Sequence, residues 1–199
     1  MKKTKIVTLT ALLLSIGVLS LNEKQAKAND SQNTQGSIIL EQDTALPGGG
    51  LYFDNIPDLE FGTQKISSTS QSYSLQNSGA HMKVVDVRGL GSGWSVGVKI
   101  APFTDRTDGS KALKGVDLNL NKNGALITES GNVSTPPTFS LNTIPADNTE
   151  SEIMVANANE GMGSWQTNFD NASSTINVPS GQLVGDYAST ITWVLKDTP

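Results

Sequence analysis

Hydrophobic and polar residues alternate strictly near the end of the chain. Tyr187, Ser189, Ile191, Trp193 and Leu195 fall on one face, and the residues between them fall on the other. Because side chains of a β-strand point alternately to opposite faces, this pattern predicts a half-buried strand over 187–195, with Trp193 and Leu195 side by side. No hydrophobic tail or basic cluster follows it. We therefore expect this strand to belong to the fold.

Short runs of the same kind recur along the chain and predict further strands. The chain from 94 to 100 alternates with Trp94, Val96, Val98 and Ile100 on one face. It is expected to form a hairpin with 82–88 through the glycine-rich loop 89–93. A second hairpin is expected between 116–121 and 125–128, because Asn123-Gly124 has the chemistry of a type I′ turn. The remaining predicted strands are 36–41, an irregular or edge strand within 51–62, 139–144, 152–156 and 174–179.

These runs define the expected fold class. About ten short strands are separated by turns, and no stretch of eleven residues has a convincing helical period. The pattern predicts an all-β protein, either an antiparallel β-sandwich or a barrel. Gly185-Asp-Tyr187 resembles a tyrosine corner, in which the phenol bonds back to upstream backbone, and this favours a sandwich with Greek-key, immunoglobulin-like connectivity.

The N-terminus has the pattern of an export signal. Three lysines precede an uncharged, largely apolar run over 6–21, and Ala26-Lys27-Ala28 is a typical cleavage site. We predict a signal peptide over 1–28, a flexible leader over 29–35 and a single domain over 36–199. An uncleaved N-terminal anchor is the alternative. No other segment is apolar enough to span a membrane, so the mature chain is expected to have no membrane span.

Charge and cysteine content limit the cellular compartments and the binding partners that are expected for this protein. Residues 1–28 carry five lysines and one glutamate, so their removal changes the formal net charge from −5 to −9. So acidic a chain is a poor non-specific binder of nucleic acid, and none is expected as a partner. Cysteine is absent. An exported protein without cysteine is typical of the envelope of Gram-positive bacteria.

The sequence contains few residue patterns that could indicate catalysis or metal binding. His81 is the only histidine, and the chain has no G-x-S-x-G motif, so a strand or turn histidine is the favoured interpretation. Asp117-x-Asn119-x-Asn121 begins like a calcium loop, but Lys122 and Thr128 stand where that loop needs glycine and glutamate. A glycoside hydrolase needs two carboxylates at a set distance across a cleft, and the loose groups of acidic residues in this sequence do not indicate such a pair. We expect no enzymatic activity, no cofactor and no metal site, although calcium at another loop stays open.

The three tryptophans are the remaining candidates for a site. Trp94 and Trp193 each share a face with apolar residues, which favours burial over sugar binding. Trp165 lies in the glycine-rich loop 159–165 and is the better candidate for exposure. If Trp193 and Leu195 are in the core, Trp193→Ala is expected to cost about 3–5 kcal/mol and to act through unfolding. The two Trp-containing strands are expected to pack together as one hydrophobic cluster.

These residues resemble the WxL domain of Gram-positive surface proteins, which has an internal and a C-terminal Trp-x-Leu signature. The distal match comprises Asn177-Val-Pro179, Gly185-Asp-Tyr187 and Ser189 to Leu195, and the resemblance spans the chain from about residue 36. Upstream, Leu59-Glu-Phe-Gly62 and Glu160-Gly-Met-Gly-Ser-Trp165 are also similar. The internal match is Val85-Asp-Val-Arg-Gly89 followed by Gly93-Trp-Ser-Val96, in which valine replaces leucine. The family-motif or binding residues are therefore Trp94, Val96, Trp165, Tyr187, Trp193 and Leu195.

The resemblance implies a non-catalytic protein that is secreted and held non-covalently at the bacterial cell wall. Its implied ligand is peptidoglycan, its implied partners are companion cell-surface proteins, and some family members are linked to adhesion. A chain with little beyond the domain would be a small member. The alternative hypothesis is a secreted wall-glycan hydrolase. The absence of a catalytic motif from the sequence makes this alternative the weaker one.

Overall fold

The described residues form short β-strands joined by turns and irregular loops, with very little helix. The computed structural model describes residues 31–140 and 143–198, so the predicted signal peptide lies outside the described residues. One 3-10 helix, Pro47–Gly49, precedes the first strand. The strands are β1 (Leu51–Asn55), β2 (Gln71–Ser74), β3 (His81–Asp86), β4 (Trp94–Ile100), β5 (Thr104–Asp105), β6 (Asp117–Asn119), β7 (Ile127–Thr128), β8 (Thr138–Phe139), β9 (Thr143–Pro145), β10 (Glu150–Ala156), β11 (Gly163–Asn168), β12 (Thr175–Val178), β13 (Tyr187–Ala188) and β14 (Ile191–Lys196).

The strands form antiparallel sheets in a sandwich-like arrangement. Three sheets have four strands each, in the orders β1-β3-β11-β7, β14-β4-β10-β8 and β2-β12-β6-β9, and β13 pairs with β5 in a small fourth sheet. The prediction of an all-β antiparallel fold is confirmed, with fourteen strands among the described residues rather than about ten. The predicted edge strand within 51–62 is also confirmed, because β1 lies at the edge of its sheet and has a register shift after Phe53.

The connections between strands differ from the prediction. Across the described residues, no two consecutive strands belong to the same sheet. Both predicted hairpins are therefore wrong: β3 pairs with β1 and β11, whereas β4 pairs with β10 and β14. At the second predicted hairpin, the Asn123 N–H donates to the carbonyl oxygen of Asn168 at 2.7 Å. The turn is therefore bonded to the end of β11 and does not pair the two strands that flank it.

The C-terminal pattern is divided between two sheets. The predicted single strand over 187–195 is interrupted at Ser189 and Thr190, which separate β13 from β14. The Ser189 hydroxyl donates to the Ala101 carbonyl oxygen at 2.5 Å, and the Ala101 N–H donates to the Thr190 carbonyl oxygen at 3.0 Å. These bonds hold the interruption against the end of β4. The chain can therefore change sheets while the apolar face of β14 still meets the core.

The core lies between the sheets and is centred on β4. Every residue of that strand except Lys99 is buried, because β4 has a strand on each side and packed side chains on both faces. Alternating residues of β3 also face the core, with Met82 and Val84 fully buried. Residues 40–199 form one compact unit. The core is apolar and continuous, as a chain without disulfides requires.

The chain before residue 46 does not form the predicted strand. Residues 36–41 have no regular secondary structure, and Ile38, Ile39 and Leu40 are each more than 80 % exposed. The predicted strand over 139–144 includes residues 141 and 142, which lie outside the described residues, and on either side of them lie two shorter strands, β8 and β9, in different sheets. The described part of the chain contains no helix that is long and apolar enough to cross a membrane.

Candidate functional site

The two Trp-containing strands lie side by side. Strand β14 pairs with β4 in an antiparallel ladder in which Trp193 faces Val98 and Leu195 faces Val96. Cross-strand pairs of this kind place side chains of one face about 5 Å apart. The expectation that the two strands pack together is confirmed. The internal and distal signatures are therefore parts of one structural element.

Trp94 is fully buried, like Val96 on the same strand. The Trp94 indole N–H donates to the Gly161 carbonyl oxygen at 3.0 Å. A Cβ atom at position 161 would lie 2.8 Å from the indole nitrogen and 2.4 Å from the Ala156 Cβ. Only glycine fits there, which explains the glycine in Glu160-Gly-Met. The prediction that Trp94 belongs to the core is confirmed.

Trp165 is not exposed, and the prediction for this residue is wrong. It lies on β11 opposite Val84 and is only 2 % exposed. Its indole N–H donates to the Met162 carbonyl oxygen at 3.0 Å. The glycine-rich stretch before it does not form an open loop, because β11 begins at Gly163 and continues the sheet of β3. Trp165 cannot contact a ligand without a change of fold.

Trp193 and Leu195 lie at the margin of the core. Both side chains are half-buried and pack against the buried cluster, whereas Val96 on the facing strand is fully buried. The Trp193 ring is 6.0 Å from the Phe169 ring, which in turn is 6.3 Å from the Phe139 ring. Tilted aromatic pairs at such distances are stabilising. The signature residues therefore contribute packing, with only part of the Trp193 surface open to solvent.

A buried ion pair that was not predicted from the sequence lies where β4 begins and β14 ends. Arg88 and Asp86 are 8 % and 2 % exposed, and two guanidinium nitrogens of Arg88 donate to the two carboxylate oxygens of Asp86, each at 2.9 Å. The hydrogen bond to Asp86 raises the pKa of Arg88. The guanidinium also donates to the Gly93 carbonyl oxygen at 2.9 Å and reaches that of Asp197 at 3.4 Å. The signal for this pair was the Asp-x-Arg spacing in Val85-Asp-Val-Arg88.

Tyr187 forms the predicted corner. Its hydroxyl donates to the Leu183 carbonyl oxygen, four residues upstream, at 3.0 Å. The preceding Gly185 is required by close approach, since a Cβ atom there would lie 2.1 Å from an Asp105 carboxylate oxygen. The other oxygen of Asp105 accepts bonds from the Thr107 hydroxyl and from the N–H groups of Thr107 and Asp108. These bonds, led by the Thr107 hydroxyl, lower the pKa of Asp105 to about 2.

The residues that could have served catalysis or calcium binding instead make hydrogen bonds within the fold. His81 begins β3, and its Nδ1 lies 2.8 Å from the Gly79 carbonyl oxygen. Asp117 and Asn119 lie on β6, where their side chains bond to Asn177 and Thr143 on the neighbouring strands. Among the described residues, no group of three or more acidic, histidine or cysteine side chains is placed to hold a metal ion.

A shallow depression lies away from the signature strands, and sequence reasoning did not find it. It is lined by residues 63–69, Gln71 and Tyr73 on one side and by Val178, Pro179 and Gln182 on the other. It consists of two neighbouring depressions that share the residues 64–67 and Tyr73, a smaller one of about 60 Å³ and a wider, more open one of about 720 Å³. Its lining is polar apart from Ile66, Tyr73, Val178 and Pro179. We name this feature the Gln71 groove.

The fold defines an all-β domain whose signature tryptophans pack in the core or at its margin. A family model described as "WxL domain surface cell wall-binding" matches residues 40–199. Because this match covers most of the chain, the protein belongs to the WxL domain family, a family of the cell surface that binds the cell wall. A search of curated proteins found none that matches.

Proposed function

We propose that this protein is exported, loses residues 1–28 and attaches non-covalently to the bacterial cell wall by binding peptidoglycan. The observation that carries this proposal is the match of residues 40–199 to a cell wall-binding surface domain. The compact unit over 40–199 coincides with the matched range. The wall-binding function therefore belongs to the β domain itself.

The proposed attachment is non-catalytic. The family is one of binding domains, and the signature residues of this chain lie in the core or at its margin. The only histidine begins a strand beside a turn, where its ring contacts local backbone. Companion surface proteins and a role in adhesion belong to the same proposal, and they rest on the family resemblance alone.

Co-sedimentation tests the proposal. The full chain is expressed with its own N-terminal segment in a Gram-positive host, purified, and incubated with walls before and after teichoic acid is removed. The protein is expected in the pellet in both cases, because peptidoglycan is the proposed ligand. Equal recovery in the supernatant with and without walls would contradict the proposal. Release of soluble muropeptides from the walls would instead identify a hydrolase.

The same preparation tests export. The intact mass of the purified protein is expected to correspond to a chain that begins at Asn29, because the signal-type cleavage site ends at Ala28. A mass that retains residues 1–28 would show an uncleaved anchor. That result would change the mode of attachment but not the domain's affinity for walls.

A further inference from the structure

We infer that the Gln71 groove is the surface that contacts the N-acetylated glycan of peptidoglycan. This inference rests on the proposed function and assigns it a place on the molecule. The groove is formed by the segment 63–73 together with the turn that follows β12. None of the six signature residues lines it.

The electrostatics of the groove suit a wall polymer. The chain has 19 acidic residues and a formal net charge of −5, yet none of the residues that line the groove is acidic. Lys65 is exposed there and makes no ion pair with a described residue. The glycan of peptidoglycan is uncharged, and its stem peptides carry carboxylates. Such a ligand would be repelled by most of the acidic surface but not by this groove.

The side chains of the groove match the chemistry of N-acetyl sugars. Gln64 and Ser68 present an exposed amide and an exposed hydroxyl group, and one amide N–H of Gln64 already donates to the Phe61 carbonyl oxygen. The side-chain oxygen of Gln71 adds an acceptor, since its amide nitrogen bonds within the groove. Such groups donate and accept hydrogen bonds as sugar hydroxyls and acetamido groups do. The ring of Tyr73 supplies an apolar surface beside them, of the kind on which the C–H face of a pyranose packs. A groove of amides, hydroxyls and one aromatic ring therefore favours a sugar over an apolar ligand.

The groove is held in shape before a ligand arrives. The Gln71 amide donates to the hydroxyls of Ser67 and Thr69 at 3.2 and 2.8 Å, and the Tyr73 hydroxyl donates to the Lys65 carbonyl oxygen at 3.2 Å. On the other wall, the Gln182 amide donates to the Lys114 carbonyl oxygen and accepts from the Lys114 N–H. A preorganised surface loses less conformational entropy on binding.

The shape of the groove favours a polymer over a small molecule. Small ligands are usually buried in concave pockets. The smaller depression, at about 60 Å³, is far below the roughly 300–1,000 Å³ of a pocket that encloses a small ligand. A sugar ring must therefore lie along the wider, more open depression. An extended glycan strand can do so.

Matched variants test the assignment. The groove variant combines Gln64→Ala, Lys65→Gln and Ser68→Ala, which all change exposed side chains. The control variant combines Leu90→Ser and Val133→Ser, two apolar residues that are 66 % and 101 % exposed on loops outside the groove. Affinity for walls stripped of teichoic acid is measured with the melting temperature of each protein. The tetramer of N-acetylglucosamine is then titrated while the side-chain amide NMR signals of Gln64 and Gln71 are followed.

The expected result is a loss of affinity of about tenfold for the groove variant, the effect of a few weak polar contacts. Its melting temperature and the affinity of the control variant are expected to be unchanged, and the two glutamine signals are expected to shift. If the groove variant binds walls like the wild type, the groove assignment is wrong while the proposed function stands. A loss confined to the control variant would place the contact on the loops of Leu90 and Val133. Failure of the wild type to bind stripped walls would overturn both proposals.

Discussion

Trp193 on β14 faces Val98 on β4, and two residues further along Leu195 faces Val96. One antiparallel ladder thus contains both Trp signatures of the chain, although they are far apart in the sequence. Trp94 begins β4 and is fully buried. The signature therefore marks a hydrophobic cluster that joins the C-terminal strand to the centre of the core. Valine at position 96 fits this role because its side chain is fully buried and lies opposite Leu195.

The two tryptophans are expected to differ in their contribution to stability. Trp94→Ala removes a fully buried ring and its hydrogen bond to Gly161, so it is expected to lower the free energy of unfolding by about 3–5 kcal/mol. The same cost was expected from the sequence for Trp193→Ala. Because Trp193 is only half-buried, the structure revises that cost to about 1.5–3 kcal/mol. Urea denaturation of both variants checks the order, and an equal or larger loss for Trp193→Ala would contradict it.

The buried ion pair is expected to matter more than an exposed one. Asp86→Ala leaves the Arg88 guanidinium buried without its carboxylate partner, which is expected to cost about 3–5 kcal/mol. Arg106→Ala breaks the pair between Arg106 and Asp186, whose side chains are 65 % and 69 % exposed, and is expected to cost less than about 1 kcal/mol. Thermal unfolding of the two variants compares them. Similar melting temperatures would show that the Asp86–Arg88 pair does not secure the fold.

Asp105 is expected to make the fold sensitive to acid. Its pKa in the folded protein is lowered from 3.8 to about 2, chiefly by the Thr107 hydroxyl. A lowered pKa means that its stabilisation is fully present above pH 3.8 and is lost as the pH falls towards about 2. In Asp105→Asn, the free energy of unfolding should depend less on pH within this range. An unchanged pH dependence between the two proteins would rule out Asp105 as its source.

The tyrosine corner is expected to make a modest contribution. Tyr187→Phe removes the hydrogen bond to the Leu183 carbonyl oxygen and is expected to cost about 0.5–1.5 kcal/mol. Tyr52→Phe is the matched control, because the Tyr52 ring is also half-buried and its hydroxyl has no hydrogen bond to a described residue. Chemical denaturation measures both variants. A loss of stability for Tyr52→Phe as large as that for Tyr187→Phe would mean that the corner bond contributes nothing.

Local pattern predicted several of the strands, because strand periodicity is encoded residue by residue, but it indicated no strand for β2, β5 or β11. The alternation of Trp94, Val96, Val98 and Ile100 gave a strand that the structure contains, as did the apolar runs that became β10 and β12. Partners of these strands could not be predicted in the same way. Pairing depends on packing between distant segments, and here it overrides even Asn123-Gly124, whose turn leads into another sheet.

The candidate site was less predictable than the fold. Glycines around Trp165 suggested an open loop, but Gly163 begins β11, and the ring is buried where that strand pairs with β3. Gly161 instead permits the close approach of the Trp94 indole. The Gln71 groove unites residues 63–73 with Gln182, which meet only in the folded chain. Its separate parts are ordinary polar loop sequences. No periodicity or motif in either part could have indicated a shared surface.

The central claim is that the Trp signature stabilises the domain and does not itself bind the wall. Its most direct test is the affinity of Trp193→Leu for peptidoglycan stripped of teichoic acid, measured at a temperature where circular dichroism shows the variant fully folded. Leucine retains an apolar side chain at the margin of the core but removes the aromatic face that a sugar could stack on. The dissociation constant is expected to match that of the wild type. A folded variant that binds about tenfold more weakly would contradict the account.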